Sequence, residues 1–167
     1  SLDRLADNYH KLSEFVGPSC KVLCVIKGNA YGHGAVEVSK ELERAGCEIL
    51  GAATIEEAME LREHGIKLPV LLLGPINPAY AALAAEQGFI VPLIDAAHAE
   101  ELSAAAAAAG KTIEAHLKID TGMSRYGLSV GKDMDGCVAE ALRMTKLPNL
   151  RVTGVFTHFA VAGNTCS

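Results

Sequence analysis

The sequence predicts an α/β fold, a partial (β/α)8 TIM-type barrel of about six parallel strands, and three observations point there. Apolar runs of strand length alternate with helical segments along the whole chain. The runs (VLCVIK, VLLLG, FIVPLI) are nearly continuous rather than alternating, the pattern of strands covered by helices on both faces. No Gly-x-Gly-x-x-Gly follows any of them, which favours a barrel over a dinucleotide-binding sheet.

Each element has its own warrant. Leu2, Leu5, Tyr9 and Leu12 recur at helical spacing, so the chain opens with a helix. Strands are expected at Lys21–Lys27, Ile49–Ala53, Val70–Leu73, Phe89–Ile94, Thr112–Asp120 and Arg151–Phe159. The helices before the second to fifth strands end in Gly46, Gly65, Gly88 and Gly110, the residue type that tolerates a left-handed conformation after a helix. Thr54 with Glu57 reads as a capping box. Asn77 with Pro78 is an N-cap with proline at the first helical position, and Asp95 caps a helix through the alanine tract Ala104–Ala109. A whole barrel takes ~250 residues and eight strands. Residues 1–167 are therefore expected to form one incomplete barrel domain, with Gly163–Ser167 a cut or a disordered tail.

Composition narrows the function. Of 167 residues, 50% are hydrophobic and 21% charged, which suits one globular domain and excludes intrinsic disorder. The 15 Lys and Arg are outnumbered by 20 Asp and Glu and never cluster, so the footprint of a nucleic-acid binder is missing. No apolar stretch approaches the roughly 20 residues that cross a bilayer. A small-molecule partner is expected, with no nucleic acid and no membrane. Cys20, Cys24, Cys47, Cys137 and Cys166 form no CxxC pair, and no basic-then-apolar leader opens the chain. These features read as a reducing, cytoplasmic setting without a metal centre.

In such sheets reacting groups gather at the carboxyl ends of strands. Lys27 ends the first strand beside the glycine-rich run Gly28 to Gly34. A lysine there is placed to be desolvated, which lowers its pKa and frees a nucleophilic amine, and the loop could hold a phosphate on backbone N–H groups. The same residues also fit a snorkelling lysine before a convenient loop. In the fifth strand, alternation puts His116, Lys118 and Asp120 on one face, where Lys118 and Asp120 could be a plain ion pair. His158 at the end of the sixth strand reads by itself as a hydrogen-bonded core residue rather than a catalyst.

The stretch Val25-Ile26-Lys27-Gly28-Asn29-Ala30-Tyr31-Gly32-His33-Gly34 resembles the pyridoxal-phosphate attachment site of alanine racemases. The resemblance continues through Gly51–Ala58, Leu72-Leu73-Gly74, Lys118–Arg125 and Thr157-His158-Phe159-Ala160, in order along the chain. It implies a pyridoxal 5'-phosphate enzyme that interconverts L- and D-alanine for cell-wall synthesis. Lys27 is then the Schiff-base lysine and one of two bases, and Tyr31 contacts the cofactor phosphate. Arg125 lies near the cofactor phenolate oxygen and the substrate carboxylate, His158 lies beside the ring, and Lys118 is the lysine that relatives often carry as a carbamate. The family further implies a homodimer with a shared active site. The second base is a tyrosine from the partner's C-terminal β domain, which residues 1–167 lack, so this chain alone is expected not to racemise alanine. Lys27, Arg125 and His158 are expected to converge on one end of the barrel. Two departures stand out: Gly28 replaces a usual alanine, loosening the backbone, and Ala160–Gly163 replaces an acidic ending. A serine or broad-specificity racemase, a non-catalytic pyridoxal-phosphate carrier and an interaction module are the alternatives.

Overall fold

The structure, a computed structural model, describes residues 1–131 and 133–163. The expected tail lies, from residue 164 on, outside the described residues, as does Cys166. The described residues form two compact units, one of Ser1–Gly74 with Glu86–Ile90, the other of Pro75–Ala85 with the chain from Val91 onward. They carry seven strands with intervening helices, and every pairing of defined register is parallel.

In the first unit, α1 (Leu2–Val16) precedes β1 (Leu23–Val25), the short α2 (Lys27–Gly32) and α3 (Ala35–Arg44). Then follow β2 (Ile49–Ala52), α4 (Ile55–Glu63), β3 (Val70–Leu72) and the start of β4 (Phe89–Leu93). The strands lie in sequence order, with Leu23 opposite Ile49, Leu50 opposite Val70 and Val70 opposite Phe89. Leu50, Ala52, Val70, Leu72 and Phe89 from the strands, and Ala58 and Leu61 of α4, are closed to solvent. The expected glycines do end these helices in left-handed conformations, and the Thr54 hydroxyl caps α4 by accepting the Glu57 N–H. Tyr9 fastens α1 to the turn after α3 by donating to the Gly46 carbonyl at 3.0 Å.

The second unit holds a 3-10 turn (Pro78–Tyr80), the start of α5 (Ala81–Gln87), the end of β4, α6 (Ala96–Ala108), β5 (Ile113–Asp120), β6 (Leu128–Ser129), α7 (Met134–Met144) and β7 (Leu150–Thr157). Asn77 and Asp95 cap as expected, accepting the N–H groups of Ala79 and His98. β5 is the organising strand. It pairs with β7 along most of its length and with β6 at its end, where Ile119 faces Leu128. Glu140 of α7 accepts the Ala96 N–H at the start of α6, joining the two helices.

Three expectations need correction. Among the described residues there are seven strands, not six, because Leu128–Ser129 is too short to show an apolar run. β1 stops at Val25, since Ile26 leaves the strand conformation and Gly28–Tyr31 turn left-handed. Burial on both faces holds for β2, β3 and β4 but fails for β1, where Leu23 and Cys24 are half-buried and Val25 is exposed, and for β7, where Arg151, Thr153, Val155 and Thr157 all face solvent. Among the described residues β7 has a single strand neighbour, β5, and its alternating sequence matches a half-covered edge.

Candidate functional site

Lys27 begins α2, directly after the buried Ile26, whose N–H donates to the Gly51 carbonyl of β2 at 2.8 Å. α2 is not a right-handed helix. Gly28, Asn29, Ala30 and Tyr31 have φ of 61, 54, 52 and 54° with ψ between 35 and 48°, one turn of left-handed helix. Only glycine adopts this hand freely, and each of the other residues costs about 1–2 kcal/mol. The turn is held by the Ala30 N–H to the Ile26 carbonyl (2.7 Å) and by the Asn29 side chain, whose Oδ1 accepts the Ala35 N–H (2.7 Å). Glu57 of α4 adds a third tie, its Oε1 accepting the Gly28 N–H at 2.7 Å. Gly28 therefore relieves strain at a left-handed position, where the sequence suggested only looseness. Lys27 is half-buried, and among the described residues its amine makes no hydrogen bond or ion pair. Tyr31 points its ring outward, 65% exposed.

In the second unit the cluster on β5 and its following loop is differently built. Lys118 is 5% exposed, with Nζ 5.6 Å from the Tyr126 ring centre and 5.7 Å from that of Phe156. Nζ donates to the Ile119 carbonyl at 2.8 Å. Burial holds its pKa below the usual lysine value; Asp120 opposes that shift and the Arg125 charge adds to it. The Lys118–Asp120 ion pair does not form. Instead Asp120 Oδ1 accepts the N–H groups of Gly122 (3.1 Å) and Ser124 (2.9 Å), which holds its carboxyl below the usual carboxylate range. This local turn puts Ser124 at φ 57°. His116 is half-buried against Gly154 of β7, and burial lowers its pKa, with Glu114 opposing. Arg125 is exposed, and so is His158, which is not the core residue its strand-end position suggested because it lies one residue past the end of β7.

Lys118, Arg125 and His158 thus belong to one unit, and Lys27 and Tyr31 to the other. Two groups escaped the sequence reading. Glu57 was legible as a cap, but nothing local marks it as the partner of Gly28, 29 residues away. Thr121 and Thr157 form a hydroxyl relay at the ends of β5 and β7: Thr157 Oγ1 donates to the Ile119 carbonyl (2.9 Å), so Thr121 donates to Thr157 (2.8 Å). Among the described residues no group of three or more His, Cys, Asp or Glu side chains is placed to hold a metal ion.

These elements define an α/β domain of the barrel class with lysines at or near the carboxyl ends of two parallel strands. A sequence profile described as "Alanine racemase, N-terminal domain" matches residues 1–166, and the chain belongs to that family. It is 40% identical over 162 residues to alanine racemase 2 of Caldanaerobacter subterraneus subsp. tengcongensis, covering 97% of this chain and 41% of that protein. It is 39% identical over 166 residues to alanine racemase of Desulfosudis oleivorans, covering 96% of this chain and 43% of the relative. The chain therefore spans about two-fifths of the length of these relatives. Alanine racemase of Clostridium difficile 630, solved in complex with cycloserine, superposes with a TM-score of 0.86 at 34% identity, over 95% of this chain and 42% of that one. A histidine racemase from Leuconostoc mesenteroides superposes with a TM-score of 0.84 at 28% identity, over 96% and 42%.

Proposed function

We propose that the protein containing this chain is a pyridoxal-5'-phosphate-dependent amino-acid racemase whose substrate is alanine, with Lys27 as the residue that carries the cofactor. The observation that carries the reading is the state of Lys27. Its backbone is fixed by a turn that ordinary residues avoid, while its amine has no partner among the described residues. A structural lysine is usually paired or swung into solvent; a half-buried, uncommitted amine on a rigid support suits covalent attachment of an aldehyde. The chemistry of the first unit suits the group, with an amine at Lys27 for the aldehyde and a hydroxyl at Tyr31 for the phosphate; the family resemblance would give Arg125 the phenolate oxygen and a substrate carboxylate, and His158 the ring.

When bound, pyridoxal phosphate supplies an electron sink for the charge left at Cα once its proton is gone. The chain's own groups then manage protons and position. Lys27 Nζ takes the Cα proton on one face or returns it there. A tyrosine of the partner subunit in a homodimer serves the other face. Lys118 is proposed to be carbamylated: burial favours its neutral amine, which attacks carbon dioxide, forms the N–C bond and releases a proton. The resulting anion would turn repulsion of Arg125 into attraction. A cytoplasmic setting accords with the free thiols of Cys20, Cys24, Cys47 and Cys137, and no helix among the described residues is long and apolar enough to cross a membrane.

A different amino-acid specificity has one observation in its favour, the likeness to a histidine racemase. Pyridoxal phosphate added to the purified protein, followed by borohydride reduction and peptide mapping, tests the assignment. The label is expected on Lys27, and Lys27→Ala should abolish the cofactor's absorbance band. A label on Lys118 or Lys40 would sink the assignment, and the absence of any band would point to an interaction module. Deuterium exchange into Cα of alanine separates a racemase from a carrier, and parallel incubations with serine and histidine read the specificity.

A further inference from the structure

We propose that Glu57 is the positioning residue for Lys27, a role that rests on Lys27 being the cofactor's attachment point. Glu57 occupies the third residue of α4, where a capping-box glutamate would reach back to the N–H of its own cap residue, Thr54. It does something else. Its Oε2 accepts the N–H of Ala53 at 2.8 Å, and its Oε1 accepts the N–H of Gly28 at 2.7 Å. Both lengths are those of charge-assisted bonds. One carboxylate therefore clamps the end of β2 to the Lys27–Gly28 peptide.

That peptide is the lever. Its plane sets ψ of Lys27 and the start of the left-handed turn, and together these fix the direction in which Cα of Lys27 presents its side chain. The remaining hydrogen bonds of residues 27–34 run within the segment itself, to Ile26, or to the start of α3, where the N–H groups of Ala35 and Val38 reach Asn29 and Gly34. Among the described residues the Glu57 bond is the one hydrogen bond that anchors residues 27–34 to an element other than α3, which follows them directly in the chain. Removing it leaves the turn hydrogen-bonded only to its two ends, Ile26 and α3, so the Lys27–Gly28 peptide loses its lateral tie, while α4 keeps the Thr54 hydroxyl as its cap. A carboxylate is suited to the task because it offers two acceptors and no donor. A glutamine at position 57 would turn an N–H toward one of the two amides.

The test compares Glu57→Gln with Thr54→Ala, which removes the cap of the same helix without touching Gly28. Three readouts are taken: thermal midpoint, hydrogen exchange at the amides of Gly28–Tyr31 without cofactor, and the rate at which added pyridoxal phosphate condenses with Lys27 as water is lost. Glu57→Gln is expected to speed exchange at Gly28–Tyr31, slow condensation by about tenfold or more, and shift borohydride label from Lys27 toward other lysines. Thr54→Ala is expected to lower the thermal midpoint while condensation stays within about twofold of wild type, because no bond to the lysine's peptide is lost. Equal slowing in the two variants, or an unchanged rate in Glu57→Gln, would reduce Glu57 to a helix cap and overturn the proposal. If Glu57→Gln does not fold, Glu57→Asp keeps the charge but shortens the reach; slowed condensation with faster amide exchange in it supports the clamp, and wild-type behaviour overturns it. Absence of label on Lys27 in the wild type would strike the attachment assignment alone, since amide exchange at Gly28–Tyr31 still reports whether Glu57 holds the turn.

Discussion

Lys27 and Lys118 both stand at or near the carboxyl end of a parallel strand, and the chain treats them in opposite ways. Around Lys27 the backbone is constrained and the amine is left alone: a left-handed turn, a carboxylate clamp on the next peptide, and no partner for Nζ among the described residues. Around Lys118 the amine itself is enclosed, stacked against two rings and bonded to a carbonyl. Gly127 lies so close to it that an added Cβ would sit 2.7 Å from the Lys118 carbonyl oxygen. One lysine is presented and the other is stored. Strand position alone does not make a lysine reactive; what distinguishes the two is whether the fold directs its contacts to the main chain or to the ammonium.

The contrast breaks first at Gly127. Its φ of 114° suits glycine, and the backbone atoms that a methyl group would meet cannot rotate away. Gly127→Ala should cost about 3 kcal/mol, read by urea unfolding, as the loop is pushed off β5. A loss under about 1 kcal/mol would mean that the packing over Lys118 is loose.

The enclosure can be sharpened by pH. Because burial depresses the Lys118 pKa, the folded chain releases this proton before the unfolded chain does as pH rises. Between the lowered value and the ordinary 10.5 the unfolded state holds more protons, so stability climbs with pH; below the lowered value the full cost of the buried charge remains. Lys118→Met should remove this climb in carbon-dioxide-free buffer and, at neutral pH, match or exceed wild type by about 1 kcal/mol. Unfolding midpoints that keep the same pH slope in the variant would show that the ammonium is solvated after all.

The smallest expected effects have opposite signs. Gly28→Ala places a side chain at a left-handed residue and should destabilise by about 1 kcal/mol, whereas Ser124→Gly relieves a left-handed serine and should stabilise by about 0.5 kcal/mol. Thermal midpoints moving in the same direction would show that these turns are not governed by residue handedness.

Much of this was legible in the sequence because its causes are local. The helix-ending glycines, the Thr54, Asn77 and Asp95 caps and the buried runs of β2 to β4 each rest on a few neighbouring residues. The build of the candidate site was not legible. Asn29, Ala30 and Tyr31 have no intrinsic preference for a left-handed turn, and the carboxylate that holds them arrives from another strand-helix unit. The Lys118–Asp120 pairing failed for a related reason: two loop amides, close in sequence, compete for the aspartate and win. β6 went unseen because two residues carry no periodicity.

The handedness of residues 28–31 also bears on the order in which the chain assembles. An unfolded segment seldom visits four consecutive left-handed residues, and the clamp that rewards them closes a span of 29 residues, a contact that waits on loop closure. The turn therefore belongs on the native side of the folding barrier, after β1 and β2 have paired. Changes within it would then act mainly by hastening unfolding rather than by slowing folding. The part of the molecule that carries Lys27 would be the last to set and the first to let go.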